Sequence, residues 1–267
     1  MIKKLPPLIL FGLPLLLAAA LKWVIWSPDI TPFNADEAIV ALMARHINQG
    51  HLPTFFYGQY YMGSLDAIII AIGFRIFEED VWVIRLVQSV LYLGTVVTTI
   101  ALASRIIKTS RAALYAGLLV AIPAVNAALY STVSLGGYGE MLLMGNLLIL
   151  GGMGTIEEIR KDRINRKRVL WGLAAWGLGA GFAFWVLGLT LVYSIPVMIC
   201  ILWYLIKQHK PVLIQCLAFL AAGGLIGSSP WWGSAIADGS WAIFSELVGG
   251  AIAGQLEESG LSNLLRG

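Results

Sequence analysis

The sequence is poor in charge: Asp, Glu, Lys and Arg together make up only 12% of its 267 residues. It holds just two cysteines and three histidines. Cys200 and Cys216 each lie inside an apolar run, where a thiol behaves as a small hydrophobe, so neither a disulfide framework nor a metal site is indicated. His46 and His51 are close in sequence, but His46 falls on an apolar stripe and reads as an interfacial imidazole rather than a ligand. The net charge of +3 is not gathered into a basic stripe with interleaved aromatics, which leaves nucleic-acid binding unsupported.

Apolar residues fill the chain instead, at 58% with a mean hydropathy of +0.80, above the roughly 45–50% of soluble domains. A segment of about 20 mostly apolar residues can cross a bilayer as a helix, because a helix satisfies its own backbone groups where water is absent. The sequence predicts an all-α fold, a polytopic transmembrane helical bundle of about seven spans forming a single domain over residues 1–267. The expected spans are Leu5 to Trp26, Trp82 to Ile107, Ala112 to Tyr130, Met141 to Ile156, Val169 to Leu187, Leu189 to Ile206 and Val212 to Gly227. The first is too long for the apolar region of a signal peptide and no small-residue cleavage pattern follows, so it reads as a retained span. The stretch Trp241 to Gln255, which contains Glu246, reads as a surface or partly embedded helix. The middles of these spans contain essentially no ionisable residue.

One short apolar piece decides the topology. Leu65 to Phe77 carries Asp66 and Arg75, and its length suits a re-entrant or interfacial segment better than a span. If it does not cross, most of the 18 basic residues share one side, among them Lys3, Lys4, Arg105, Lys108, Arg111, Arg160, Lys161, Arg163 and Arg166 to Arg168. The positive-inside rule makes that side cytoplasmic, with the amino terminus inside, in an inner or plasma membrane. A flipped arrangement with eight crossings is the competing topology. In the favoured one, residues 27–81 form an external loop, with most of the acids, including Asp36, Glu37, Asp66, Glu78, Glu79, Asp80 and Glu140, on that external side.

Within this loop Asn34 can cap a helix whose third residue is Glu37, in a capping-box-like arrangement. Ile39, Leu42, Met43, His46 and Ile47 recur at helical spacing and Gly50 with Pro53 supplies a stop, which predicts an amphipathic juxtamembrane helix from Ala35 to Gln49. Asp36 and Glu37 in its first turn complement the helix dipole; held close to the bilayer, Asp36 is also a candidate general base. Gln59, Tyr60 and Tyr61 carry groups able to orient a sugar or phosphate, although interfacial tyrosines commonly serve as an aromatic belt. Ser64 is a candidate cap for the short helix, and Asp66 is either dipole chemistry or a second acid near the site. Glu140 opens the fourth expected span, where a carboxylate entering hydrocarbon needs a partner or a wet cavity. Gly172, Gly177, Gly179 and Gly181 suit close helix packing, and Ser229-Pro230-Trp231-Trp232 reads as an interfacial anchor or the lining of a lipid groove.

Four pieces together resemble the GT-C superfamily of membrane glycosyltransferases, within the bacterial branch of protein mannosyltransferases, aminoarabinose transferases and lipopolysaccharide-type hexose or uronate transferases. They are Asp36-Glu37-Ala38, Tyr57-Gly58-Gln59 through Met62-Gly63-Ser64-Leu65-Asp66, Gly137-Tyr138-Gly139-Glu140 and Pro230-Trp231-Trp232. The resemblance implies transfer of a sugar from a polyprenyl-phosphate donor to a lipid, glycan or protein acceptor on the non-cytoplasmic face. It implies catalytic roles for Asp36 as general base and for Glu140 nearby, with Glu37, Gln59, Tyr60, Tyr61, Asp66 and Tyr138 around the substrate. No Asp-x-Asp pair stands in the first loop, so a tightly bound metal is not indicated; a divalent cation stays an open expectation and no other cofactor follows. Members of that family continue for several more spans, so the C-terminal part of the family fold is expected to be absent here. The alternative class is a non-catalytic membrane subunit or a lipid-carrier transporter.

Overall fold

The computed structural model describes residues 5–27, 30–161, 165–208 and 210–237, and the expected helix at Trp241 to Gln255 lies outside them. The chain is almost wholly helical, with helices α1 (Leu13–Ile25, entered through a π-helical turn Leu8–Gly12), α2 (Ala35–Asn48), α3 (Leu65–Ile76), α4 (Val81–Ile107), α5 (Ser110–Ala121), α6 (Val125–Tyr130), α7 (Tyr138–Ile159), α8 (Arg166–Val186), α9 (Leu191–Gln208), α10 (Leu213–Gly227) and α11 (Ser229–Ala237). Among the described residues five helical segments are long and apolar enough to cross a membrane, and a sixth if the pair α10–α11, bent by 60°, counts as one. Their outer faces carry exposed Leu16, Trp23, Trp171, Val192, Ile199, Trp203, Ile214 and Leu225, an arrangement at home in lipid rather than water.

The remaining expected span, Ala112 to Tyr130, is broken. Pro123 cannot donate to a helical ladder and its ring pushes the preceding residue out of the helical region. Ile122 accordingly sits at φ −115°, ψ 78°, which leaves α5 with 12 residues and α6 with 6. Pro230 cannot donate either, and the helix turns at Ser228 just ahead of it, so Trp231 and Trp232 belong to α11 rather than to the end of α10.

The bundle closes through glycines. A Cβ at Gly177, Gly181, Gly223 or Gly227 would stand 2.1–2.4 Å from a carbonyl oxygen of the facing helix, so α8 and α10 touch backbone to backbone, as small residues permit. At one end of the bundle, α2 and α3 fold over the tops of α4 and α8 around a core of Val40, Met43, Ile70, Phe74, Val83, Ile84 and Leu187. The short piece is therefore a 12-residue helix packed on α2, of about 18 Å at 1.5 Å per residue, too short to cross.

Between α2 and α3 the chain forms a two-stranded antiparallel hairpin that the all-helical expectation did not contain, β1 (Phe55–Phe56) and β2 (Gln59–Gly63), turning at Gly58 with φ +79°. Gly63 lies so close to α8 that a Cβ would stand 2.8 Å from the Trp185 carbonyl oxygen. In return Trp185 Nε1 donates to the Thr54 carbonyl at 3.1 Å. The hairpin is thereby fixed to the end of α8.

Candidate functional site

Asn34 caps α2 as its position predicts, its Oδ1 accepting from the Glu37 amide at 3.0 Å. The Glu37 side chain does not complete a capping box. It is fully buried and meets Arg85 of α4, with Nε to Oε1 at 3.2 Å and Nη2 to Oε2 at 3.3 Å, while Arg85 Nη1 donates to the Trp26 carbonyl at 2.8 Å. This pair rotates the helix. The buried stripe of α2 runs Glu37, Val40, Met43 and Ala44, and Leu42, expected inside, is exposed. His46, expected as a bland interfacial imidazole, has its Nδ1 2.8 Å from the Tyr57 hydroxyl.

One residue before Glu37, Asp36 points outward and forms no ion pair among the described residues. It lies within electrostatic reach of the Tyr138 hydroxyl, as do Tyr61 and Tyr130. The Tyr130 and Tyr138 rings are 5.3 Å apart. An exposed carboxylate thus shares a rim with three phenols contributed by β2, α6 and α7. Tyr60 is exposed as well, set edge-on to Phe55 at 5.8 Å, and Gln59 Oε1 is buried without a hydrogen-bond partner.

Beneath the rim is a second acidic group. Asp66, in the first turn of α3, is 2% exposed; it accepts from Gln88 Nε2 at 2.7 Å and from Ser134 Oγ at 2.5 Å, and the backbone amides of Gly136 and Gly137 nearby favour its charged form. Ser64 stands at the N-cap position of this helix but its side chain makes no capping bond; its hydroxyl donates to the Pro53 carbonyl at 2.6 Å. Burial pushes the Asp66 carboxyl above the ordinary carboxylate range, and donors from Ser134, Glu140, Gly137 and Gly136 pull it only part of the way back. Glu140, 2% exposed, touches Asp66, and neither of its oxygens meets a donor. Two touching buried carboxylates cannot both be ionised. A single proton between them turns the contact into a hydrogen bond and gives Glu140 its missing partner.

The loop from Ser131 to Gly137 makes this layer. Gly136 and Gly137 adopt φ +74° and +86°, values costly for residues with a Cβ. At Gly139 a Cβ would stand 2.2 Å from Gln88 Oε1, so glycine there is what lets α7 reach the Gln88–Asp66 contact. From the other side, Lys22 in the last turn of α1 donates to the Ser131 carbonyl and hydroxyl, both at 2.7 Å, and to Thr132 Oγ1 at 2.8 Å, with the Tyr92 ring centroid 4.3 Å away.

The structure therefore divides the residues singled out in the sequence into two layers. Asp36, Tyr61 and Tyr138 share the open rim, while Asp66 and Glu140 form a closed pair below it and Glu37 is committed to Arg85. Residues two apart on a helix point to different faces, which is why Tyr138 turns toward Asp36 and Glu140 away from it. Lys22, Arg85, Gln88 and Ser134 escaped the reading of the sequence. The signal for Arg85 and Gln88 was present, as two polar residues three apart on one face of an apolar run. No protein-family model, characterised protein or solved structure matches this chain.

Proposed function

We propose that this protein is an integral-membrane glycosyltransferase that moves a sugar from a polyprenyl-phosphate donor to a hydroxyl-bearing acceptor on the non-cytoplasmic face, with Asp36 as general base. The observation that carries the reading is the setting of Asp36: an exposed carboxylate without an ion-pair partner among the described residues, on a helix anchored by a buried ion pair and within electrostatic reach of the Tyr138 phenol, which Tyr61 and Tyr130 also approach. The basic residues Arg105, Arg160, Lys161 and Lys207 sit at the far ends of α4, α7 and α9, which supports an external site by the positive-inside rule. In this mechanism the acceptor oxygen bonds to the anomeric carbon as Asp36 takes its proton. The bond from that carbon to the phosphate oxygen breaks, its electron pair leaves with the lipid phosphate, and the anomeric configuration inverts. The phosphate departs already ionised, so little acid catalysis is required. The tyrosine hydroxyls are placed to donate to its oxygens, and the Asp66–Glu140 layer holds Tyr138 in position.

The test is Asp36→Asn, which keeps shape and removes the base. In membranes supplied with radiolabelled polyprenyl-phosphate sugars, label transfer should fall by about 10²–10⁴-fold. Transfer at the wild-type rate rejects Asp36 as the base. One observation favours a second reading, movement of a lipid-linked substrate without chemistry: the broken helix α5–α6 ends beside the buried amine of Lys22, and discontinuous helices with buried charge mark transporter sites. On that reading the wild-type protein moves labelled carrier across the bilayer and no acceptor gains label.

A further inference from the structure

At the opposite end of the bundle from Asp36, α7 and α8 part to leave a groove of about 450 Å³, within the roughly 300–1,000 Å³ of sites that take small molecules. Leu147, Leu148, Gly151, Gly154, Gly172 and Gly179 line it, and Glu158 and Arg168 stand at its polar end. These glycines differ from those that close α8 on α10. A Cβ at Gly151, Gly154 or Gly179 would find its nearest protein atom at 3.6–3.7 Å, and at Gly172 at 3.4 Å, so each would make ordinary contact. No protein neighbour requires a glycine at these four positions. Their effect is to hold open an apolar trough along the lipid-facing side of the bundle.

The mouth of the trough is cationic. Glu158 is matched by Lys161 at 2.5 Å, and Glu157 by Arg105 at 2.5 Å, on the ends of α7 and α4. Arg168 is exposed and has no ion-pair partner among the described residues, with Lys167 beside it. Among the described residues the carboxylates in view are therefore already engaged and the Arg168 guanidinium is left unmatched at the mouth, where a guanidinium can clasp a phosphate through paired donors.

We infer that this groove holds an anionic glycerophospholipid of the surrounding membrane, one acyl chain along the glycines and its phosphate on Arg168. Charge selects this occupant. A zwitterionic lipid gains less from an unmatched cation, and the sugar carrier's phosphate is wanted at Asp36, near the start of the 22-residue α7, about 33 Å along the helix from its end.

The test is native mass spectrometry of the full chain in detergent, supplied with dioleoyl phosphatidylglycerol, dioleoyl phosphatidylcholine or undecaprenyl phosphate. The wild-type protein should retain phosphatidylglycerol roughly five-fold more than phosphatidylcholine, the preference expected of one basic contact near the headgroups. Arg168→Gln should abolish the preference while leaving residual lipid bound, and Gly151→Leu with Gly179→Leu should reduce retention of both lipids. Gly179→Ala, which the 3.6 Å clearance tolerates, provides a folded comparison if the leucine pair fails to fold. Equal retention of the two phospholipids, a preference unchanged in Arg168→Gln, or displacement of phosphatidylglycerol by equimolar undecaprenyl phosphate overturns the assignment. Asp36→Asn should leave lipid retention intact, which separates this site from the proposed chemistry.

Discussion

Removing Glu37 should cost the protein more stability than removing almost any other single side chain at the site. Its carboxylate is fully buried and Arg85 is 4% exposed, so neither charge has water to fall back on. With Glu37→Leu the guanidinium keeps, among the described residues, a single acceptor, the Trp26 carbonyl at 2.8 Å. Such a stranded charge typically costs about 3–5 kcal/mol. Arg85→Met strands the carboxylate instead and should cost a similar amount. The contacts at 3.2 and 3.3 Å are longer than the ~2.7–2.9 Å of strong charge-assisted bonds, so the attraction does little more than offset the desolvation of both ions. The double variant should then lose only the donor to Trp26, about 1 kcal/mol. Reversible unfolding in mixed micelles, titrated with a denaturing detergent and followed by tryptophan fluorescence, measures all three. If either single variant lies within 1 kcal/mol of wild type, or the double variant costs the sum of the singles, the pair is not the buried, coupled element described here. Activity gives a second readout: Glu37→Leu frees the first turn of α2, so sugar transfer should fall even where Asp36 is intact.

The lower acidic layer predicts an asymmetry. Glu140→Gln keeps a donor for Asp66 and should change stability by less than about 1 kcal/mol, whereas Asp66→Ala orphans Gln88, Ser134 and two amides and should cost at least about 3 kcal/mol; equal effects would contradict the shared proton. Because burial raises the Asp66 carboxyl, its contribution to stability is fully present below the ordinary carboxylate range and is lost as pH rises through the raised folded value. A stability profile against pH should therefore fall on its alkaline side and flatten when both carboxyls of the pair are neutralised, in Asp66→Asn with Glu140→Gln. An unflattened profile would assign the slope elsewhere. Among the glycines, Gly223→Ala should cost about 1–3 kcal/mol because its Cβ would stand 2.1 Å from the Ala174 carbonyl oxygen, while Gly151→Ala, at 3.6 Å, should be neutral or slightly stabilising; thermal unfolding of both in one detergent decides it.

Much of the outline was legible because a bilayer permits few backbone solutions. Runs such as Trp82 to Ile107 had to become helices, and α4 spans Val81–Ile107. Asn34 announced the start of α2 because a side-chain acceptor followed by acidic residues has few other uses. Legibility failed where tertiary contact competes with a local rule. Ser64 has the chemistry of a cap and stands at the cap position, but its hydroxyl is held by the Pro53 carbonyl on the preceding segment and accepts from no helix amide. Leu42 fitted the apolar period of α2 but was turned outward, since the period of a single helix cannot reveal that Glu37 has a buried guanidinium 48 residues away in sequence. The hairpin at Phe55–Gly63 was invisible for the same reason. Only Phe55 with Gly63 and Phe56 with Gln59 pair across Gly58, and what stabilises them is the end of α8, more than a hundred residues downstream.

The position of Asp36 follows from the order in which these constraints act. Arg85 is fixed in α4 and binds both the end of α1 through Trp26 and the start of α2 through Glu37. That fixes the first turn of α2 against the ends of α1 and α4 and leaves Asp36, on the adjacent face, in the open. Lys22 grips Ser131 and Thr132 while Asp66 grips Ser134 and the amides of Gly136 and Gly137, so the loop that delivers Tyr138 is held at both ends by charged side chains with little freedom to relax. Each grip joins elements far apart in sequence, α1 to the loop and α3 to the loop. The Asp36 rim is in this sense a product of two buried charge networks that never touch it. Loosening either network with Lys22→Met or Asp66→Ala should therefore displace Tyr138 and lower transfer while Asp36 itself is unaltered. A transfer rate unchanged in both variants would mean that the rim does not depend on the layer beneath it.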